Sequence, residues 1–229
     1  MIQHLALIMD GNRRWAKAQG YKPWIGHQHG VQTVKRVIEF CLNKSIQTVS
    51  LYAFSTENLK RSQLEQQFLF SILVNEAKKN LDEFIAQGIK ISFIGDTALY
   101  PSSVQSTIAT IEEKTKHLSA LSINILFCYG GQQEIISGIK KVVGAVRDST
   151  FSLDELSEKT FSRFLWTGDI AQPDLIIRTG GRQRLSNFLL YQAAYSELYF
   201  LDCLWPDLSM ADLNNALSYY EKVTRNYGV

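Results

Sequence analysis

Six apolar runs of strand length alternate with helical periodicities along this chain, and that alternation leaves few folds open to it. The runs are Leu5–Met9, Thr48–Phe54, Ile89–Ile94, Ile123–Tyr129, Leu175–Arg178 and Leu198–Leu204. Several are apolar at consecutive positions, the pattern of strands covered on both faces. Between them lie helical patterns at Gly30–Leu42, Gln63–Gln87, Ser102–Lys116, Glu134–Arg147 and Met210–Val223. The alternation predicts an α/β fold with a central, mostly parallel sheet of about six strands flanked by helices. No Pro/Gly-rich linker, repeat or low-complexity tract interrupts it, and 229 residues are enough for one full core, so residues 1–229 are read as a single domain.

Composition narrows the class. Hydrophobic residues make 45% and charged residues 20% of the chain, the profile of a soluble globular protein. A net charge of +2 demands neither nucleic acid nor an anionic membrane, so any basic site must be local. Cys41, Cys128 and Cys203 are odd in number, far apart and set in apolar surroundings. That usage fits small-hydrophobe packing in a reducing compartment better than a metal or disulfide framework. No basic segment with a cleavage site opens the chain, and no apolar run nears the ~20 residues a bilayer crossing needs, so a cytoplasmic location is expected.

In parallel sheets functional groups gather at the carboxyl ends of the strands. The first run leads into Asp10-Gly11-Asn12-Arg13-Arg14-Trp15, with a helix expected from Ala16. A helix N-terminus offers free N–H groups and the positive end of a dipole, so this turn can cradle phosphate, with Asp10 able to hold a hard divalent cation beside it. An ordinary buried strand ending in a turn is the plainer alternative. Later runs end in Ser55-Thr56-Glu57-Asn58, Gly95-Asp96, Tyr129-Gly130-Gly131 and Arg178-Thr179-Gly180-Gly181. Arg13, Arg14, Arg61, Arg178, Arg182 and Arg184 all fall at or just after such ends, and the guanidinium fork suits bidentate binding of phosphate oxygens. Glu197 is a further candidate cation ligand.

The helical stretch Gln63–Gln87 carries Phe68-Leu69-Phe70-Ser71-Ile72-Leu73-Val74, apolar around its whole circumference. Such a segment is expected to be buried on more than one side. A core helix, a dimer interface and the wall of a hydrophobic cavity all satisfy that expectation.

Missing motifs exclude other chemistries. No Gly-x-x-x-x-Gly-Lys-Ser/Thr, Gly-x-Gly-x-x-Gly, His-Glu-x-x-His, paired Cys-x-x-Cys or Gly-x-Ser-x-Gly occurs, which argues against nucleotide, zinc and serine-hydrolase sites. The motifs that are present resemble those of the cis-prenyltransferases over essentially the whole chain. They are Met9-Asp10-Gly11-Asn12 with Arg14-Trp15, Gly26-His27, Tyr52-Ala53-Phe54-Ser55 with Glu57-Asn58, and Ile94-Gly95-Asp96. They continue in Asn124 with Tyr129-Gly130-Gly131, Ile177-Arg178-Thr179-Gly180-Gly181, Arg184 with Ser186-Asn187-Phe188, and Glu197-Leu198-Tyr199-Phe200. The Asp-Asp-x-x-Asp box of trans-prenyltransferases is absent.

The resemblance implies an enzyme that adds isopentenyl diphosphate to an allylic diphosphate such as farnesyl diphosphate, in cis geometry and with Mg2+, giving a long-chain polyprenyl diphosphate of the undecaprenyl type. It implies that Gly11, Asn12, Arg13, Arg14, Trp15 and His27 bind the allylic diphosphate. Arg178, Arg184, Leu185 and Ser186 would bind isopentenyl diphosphate, and Asp10 and Glu197 would hold magnesium, Glu197 in an adjoining subunit's site. Ser55, Thr56, Glu57, Asn58 and Arg61 would line the reaction centre, with Asp10 and Asn58 catalytic. A hydrophobic tunnel enclosed by the fold would take the growing chain past Ala53, Phe68, Leu69, Ile72 and Leu73. A homodimer with Leu198–Trp205 and the C-terminal helix near its interface, peripheral membrane contact and no nucleic-acid partner are further expectations.

Several positions depart from the family pattern: Pro23 replaces a common arginine, with Lys22 or Arg13 the expected substitute, and Leu59 and Ser62 replace tryptophan and proline around Arg61. Arg182 stands where glutamate is frequent and Asn226 where arginine is. A non-catalytic partner subunit and a magnesium-dependent phosphatase using Asp10 are the competing readings.

Overall fold

The computed structural model describes residues 1–168 and 170–223. Its strands are β1 (His4–Ile8), β2 (Thr48–Ser55), β3 (Ile89–Ile94), β4 (Leu121–Tyr129), β5 (Leu175–Arg178) and β6 (Glu197–Phe200). They form one sheet in the order β3-β4-β2-β1-β5-β6, and every neighbouring pair is parallel. The connections carry helices α1 (Asn12–Ala18), α2 (Ile25–Asn43), α3 (Gln63–Lys79), α4 (Leu81–Ala86), α5 (Ser102–Thr115), α6 (Gly131–Arg147) and α7 (Glu158–Ser162), and α8 (Met210–Lys222) follows β6.

Strand alternation sorts the apolar residues into two layers. Leu5 and Leu7 of β1, Val49 and Leu51 of β2, and Leu175 and Ile177 of β5 meet α2 and α8 through Val37, Phe40, Cys41, Leu213 and Ala216. Ala6, Ile8 and Ile176 point the other way, against Phe188, Leu189 and Trp166. A third cluster joins the far ends of β2 and β4 to α3 and α5, with Phe54, Phe70, Tyr100 and Phe127 ring to ring at 5.0–5.5 Å. Trp205 is fully buried and its indole N–H donates to Gly30 O at 2.9 Å, locking the segment after β6 onto α2.

The β2–β4 pairing carries two irregularities. Tyr52 faces Leu126 and Phe54 faces Phe127, so Ala53 is an inserted residue on β2. Ser55 then faces Tyr129, so Cys128, with φ 49°, is an inserted residue on β4. Bulges of this kind re-aim side chains next to sites.

Three helix expectations need correction. The stretch Gln63–Gln87 is two helices, parted at Asn80 (φ −102°, ψ 6°), whose buried amide donates to Glu76 O at 2.7 Å and accepts from Lys35 Nζ at 2.7 Å. A local hydrogen bond to the preceding turn competes with helix continuation there. α2 begins at Ile25, not Gly30, and α6 at Gly131, not Glu134, because their opening turns lack the apolar stripe that marks the rest. β6 ends at Phe200, short of Leu204.

Candidate active site

The first polar pocket forms where β1 gives way to α1. Gly11 has φ 116°, and a Cβ there would lie 2.9 Å from Leu204 Cα, so only glycine fits the turn. α1 begins at Asn12, four residues before the helix start expected at Ala16, which puts Arg13 and Arg14 in its first turn. No side chain caps that N-terminus. Asp10 is held from three sides: its carbonyl accepts from Thr179 Oγ1 at 2.7 Å and Trp205 N at 3.0 Å, and its carboxylate accepts from Arg178 Nη2 at 2.9 Å. Arg14 Nη2 lies 3.2 Å from the other carboxylate oxygen, packed over Gly180, where any Cβ would displace the guanidinium. Lys17, Tyr21, Pro23, His27 and Arg61 complete the wall.

Buried Glu65 ties α3 to this pocket, taking Arg61 Nη1 at 3.1 Å and Arg13 Nε at 3.7 Å. His27 is pushed down to about 4 by burial, then by Arg61 and Arg13, so it is a neutral imidazole at pH 7. It therefore contributes a hydrogen-bonding group and no positive charge to the pocket.

The second polar pocket is assembled from the ends of β2 and β5 and the loop after β5. Asn58 caps the short turn after β2: its Oδ1 accepts from Ser55 N at 3.2 Å, which leaves its amide N–H groups for the pocket it lines. Arg178, 4% exposed, donates through Nη1 to Ser186 Oγ at 2.8 Å while its Nη2 holds Asp10. Arg184 Nε lies 3.3 Å from the same Ser186 hydroxyl. Glu57 accepts from Asn187 Nδ2 at 2.8 Å. Burial alone would raise the Glu57 carboxyl, but hydrogen bonds from its own backbone, Asn187, Ser55 and Thr56 outweigh it and hold the group below the usual carboxylate range.

Beneath both pockets lies an apolar cavity of about 220 Å³. α2 contributes Val31, Val34 and Ile38, α3 contributes Leu69, Ile72, Leu73 and Ala77, and the sheet contributes Leu51, Ala53, Ile91, Ile123 and Ile125. From His27 to Ile38 along α2 the wall descends roughly 16 Å at 1.5 Å per residue. Asn12, His27, Asn58 and Arg61 stand at its mouth. Met9 and Arg61 line all three spaces, so two polar pockets and one apolar cavity meet at a single point.

Buried polar atoms almost always find partners. Among the described residues five buried side-chain atoms have none, and four belong to this region: Asn12 Oδ1, His27 Nε2, Thr56 Oγ1 and Arg178 Nε. The fifth is Gln192 Oε1.

The structure places the sequence-derived candidates unevenly. It gathers Asp10, Gly11, Asn12, Arg13, Arg14, His27 and Arg61 at the first pocket, Ser55, Glu57, Asn58, Arg61, Arg178 and Ser186 at the second, and Ala53, Leu69, Ile72 and Leu73 in the cavity. Trp15 lines none of them; its indole N–H donates to Asp207 at 2.7 Å and its ring meets His29 at 4.4 Å. Leu185 packs into the core beside Phe188, and Phe68 turns to Trp24 at 6.2 Å, away from the cavity lining. Thus α3 divides its apolar surface: Phe70 joins the core, Leu69, Ile72 and Leu73 face the cavity, and Ser71 is exposed.

Glu197 sits apart from Asp10 within one chain. It faces Leu175, which faces Leu5, whereas Ile8 is level with Arg178 and Phe200. Glu197 is thus at the amino end of β6, about 10 Å of strand below the level of Ile8 and further still from Asp10, and the two cannot share an ion within one chain. Arg182 is exposed, and Asn226 lies outside the described residues. Tyr52 and Asn187 were not among the candidates: the Tyr52 hydroxyl donates to Ser186 O at 3.3 Å and both residues line the second pocket. The Ser186-Asn187 pair, two small polar residues after Arg184, was the available signal.

Comparison with known proteins agrees with this arrangement. A family model described as "Putative undecaprenyl diphosphate synthase" matches residues 8–228. The chain is 40% identical to an isoprenyl transferase of Clostridium perfringens over 100% of its own length and 90% of that protein's. It is 40% identical to a geranylgeranyl-diphosphate-specific tritrans,polycis-undecaprenyl-diphosphate synthase of Thermoplasma acidophilum, covering 99% of this chain and 88% of the relative. It is 38% identical to a farnesyl-diphosphate-specific ditrans,polycis-undecaprenyl-diphosphate synthase of Legionella pneumophila, covering 99% and 95%. Among solved structures, lavandulyl diphosphate synthase of Lavandula x intermedia with dimethylallyl diphosphate superimposes with a TM-score of 0.95 at 34% identity, covering 100% of this chain and 98% of that one. A probable undecaprenyl diphosphate synthase of Campylobacter jejuni gives 0.83 at 33%, covering 100% and 99%. Sequence, fold and the joined pockets lead to one conclusion: this chain belongs to the cis-prenyltransferase family and is a prenyltransferase of the undecaprenyl diphosphate synthase type.

Proposed function

We propose that the enzyme condenses isopentenyl diphosphate units onto farnesyl diphosphate in cis geometry, forming a long-chain polyprenyl diphosphate, undecaprenyl diphosphate, the precursor of the lipid carrier in cell-wall synthesis. The observation that carries this reading is the meeting of two arginine-bearing polar pockets and one apolar cavity at Met9 and Arg61. Two diphosphates need two anion sites, and a growing hydrocarbon needs a dry channel that starts between them.

The pocket of Gly11, Asn12, Arg13, Arg14 and His27 takes the allylic diphosphate. Breaking the allylic C–O bond places charge on the departing diphosphate, which Arg13, Arg14 and Arg61 stabilise in fixed positions. The pocket of Ser55, Glu57, Arg178 and Ser186, with exposed Arg184 beside the Ser186 hydroxyl, takes isopentenyl diphosphate. Cationic character on the prenyl carbon is guarded from water by the apolar cavity below Met9. Asn58 presents amide N–H groups, since its oxygen is occupied by Ser55. It therefore orients a diphosphate oxygen, and that oxygen accepts the proton lost from the isopentenyl unit. Asp10 opens onto both pockets as a single carboxylate, and among the described residues no three His, Cys, Asp or Glu side chains could cage a metal. This donor set fits magnesium shared between Asp10 and substrate phosphates, where the ion would neutralise charge on the leaving group.

A homodimer suits the position of Glu197, which serves only another copy's site. The exposed Ile136, Ile139 and Val143 on α6, at 54%, 46% and 62%, and Leu198 on β6 offer a face for self-association. No helix among the described residues is long and apolar enough to cross a membrane. The enzyme is placed in the cytoplasm with peripheral membrane contact, supported by six cations and no carboxylate between Gly11 and Ile38 and by exposed Tyr21.

Incubation with labelled isopentenyl diphosphate, farnesyl diphosphate and magnesium tests the proposal. Labelled long-chain polyprenyl product is expected. Phosphate release alone would point to a phosphatase, and no reaction to a non-catalytic subunit.

A further inference from the structure

The loop after β5 holds three non-glycine residues in the left-handed region within four positions: Ser186 (φ 52°), Asn187 (φ 66°) and Leu189 (φ 42°). Such a backbone persists only where its surroundings over-determine it, and such segments cluster at functional sites. Asn187 is the residue that holds this one. Its Oδ1 accepts from Gln132 N at 2.8 Å, its carbonyl accepts from Gly131 N at 2.7 Å, and its Nδ2 donates to Glu57 Oε1 at 2.8 Å and Gln133 Oε1 at 2.9 Å. Every hydrogen-bonding group of the side chain is engaged, and the partners belong to two separate segments, the turn after β2 and the first turn of α6.

Both neighbours of Asn187 matter to the second pocket. Ser186 presents its hydroxyl to Arg178, and Phe188, fully buried, stacks on Tyr52 at 4.7 Å. Glu57 adjoins Asn58, whose amide faces the same pocket. At Gly130 a Cβ would collide with Gln133 Oε1 and press on Asn187 Nδ2 at 2.6 Å and Thr56 Oγ1 at 2.7 Å, so three chain segments converge where only a hydrogen fits. The Asn187 amide is the bridge that spaces the Ser186 hydroxyl from the Glu57-Asn58 turn.

Resting on the assignment of this pocket to isopentenyl diphosphate, we infer that Asn187 is a positioning residue that sets the distance between the two walls gripping that diphosphate. It acts through Ser186 and Glu57. No contact of its own with the first pocket exists among the described residues, so its influence is specific to one of the two substrates.

The test is steady-state kinetics on the full-length enzyme with each diphosphate varied in turn. Asn187→Ala should raise KM for isopentenyl diphosphate about 10- to 100-fold and leave KM for farnesyl diphosphate within about threefold of the wild type. Asn187→Gly keeps the left-handed backbone free of strain but removes the amide. It should melt close to the wild type and still show the isopentenyl defect. In a double-mutant cycle Glu57→Ala and Asn187→Ala should be non-additive, because each breaks the same bridge. Equal losses for both substrates, wild-type kinetics in Asn187→Gly, or full additivity with Glu57→Ala would each overturn the inference. A wild-type enzyme that consumes no isopentenyl diphosphate would instead overturn the pocket assignment, and the inference with it.

Discussion

The pocket under Arg13 and Arg14 draws most of its wall from one unbroken stretch, Met9–Arg14, whereas the pocket under Arg178 draws its wall from β1, the turn after β2, the end of β5 and the loop that follows. The first is rigid because one turn and one helix start define it, with Gly11 and Gly180 letting backbone and guanidinium pack closely. The second is rigid because side chains cross-link separate segments: Arg178 to Asp10 and Ser186, Asn187 to Glu57. A contiguous site tolerates the loss of one side chain better than a cross-linked one, since each cross-link holds two walls at once.

That contrast orders the expected effects. Arg178→Ala removes a buried cation that holds Asp10 and Ser186 together, and should lower kcat/KM for isopentenyl diphosphate by about 10³-fold, as losing a preorganised charged donor does elsewhere. A loss below tenfold in a steady-state assay would show that the second pocket does not depend on its cross-links. Arg14→Ala removes a 46%-exposed guanidinium that shares Asp10 with Arg178, so a smaller loss of about 10- to 100-fold, seen as a higher KM for the allylic substrate, is expected. Asn58→Asp swaps the amide N–H donors for a carboxylate facing a diphosphate. Turnover should fall by about tenfold or more, and full activity would show that the amide is not needed.

His27 supplies a test by pH. Its folded-state value of about 4 lies below the ordinary 6.5, so the unfolded chain takes up the proton first as pH falls. Its contribution is fully present above about 6.5, declines as pH drops toward 4, and totals at most about 3 kcal/mol at 1.36 kcal/mol per unit. His27→Gln should flatten the stability profile from pH 6.5 to 4 in denaturant titrations; an unchanged slope would place the titration elsewhere. The smallest change concerns the shared cavity: Ala53→Leu should shorten the polyprenyl product by a few isoprene units without loss of initial rate, read by chromatography of the dephosphorylated alcohols.

The same contrast explains what sequence made legible. The apolar runs located all six strands to within a few residues because parallel strands buried on both faces write their limits into hydrophobicity alone. The first pocket could be read from Asp10 to Arg14 because its parts are neighbours in the chain. The second could not be assembled that way. Arg178 and Ser186 were recognisable by type, but their link to Asp10 and Glu57 depends on β1 lying between β2 and β5. Asn187 was quoted within a motif but given no role, because that role lies in a left-handed backbone and in partners 54 to 130 residues away. The distance of Glu197 from Asp10 within one chain was not legible, because register is invisible in a single strand. The break at Asn80 was missed because asparagine is tolerated inside helices, and its bonds to Glu76 O and Lys35 are not legible in the sequence.

The paired insertions at Ala53 and Cys128 carry a consequence for how this protein can change over time. Each adds one residue to its own strand, and together they cancel, so Ser55 meets Tyr129 as if the ladder were regular. Deleting Ala53 alone would slide Ser55 by one step, and deleting Cys128 alone would slide Tyr129 by one step, each turning the shifted side chain to the opposite face of the sheet. Deleting both would restore the pairing of Ser55 with Tyr129, while substitution of the side chain at Ala53 stays free to reshape the cavity.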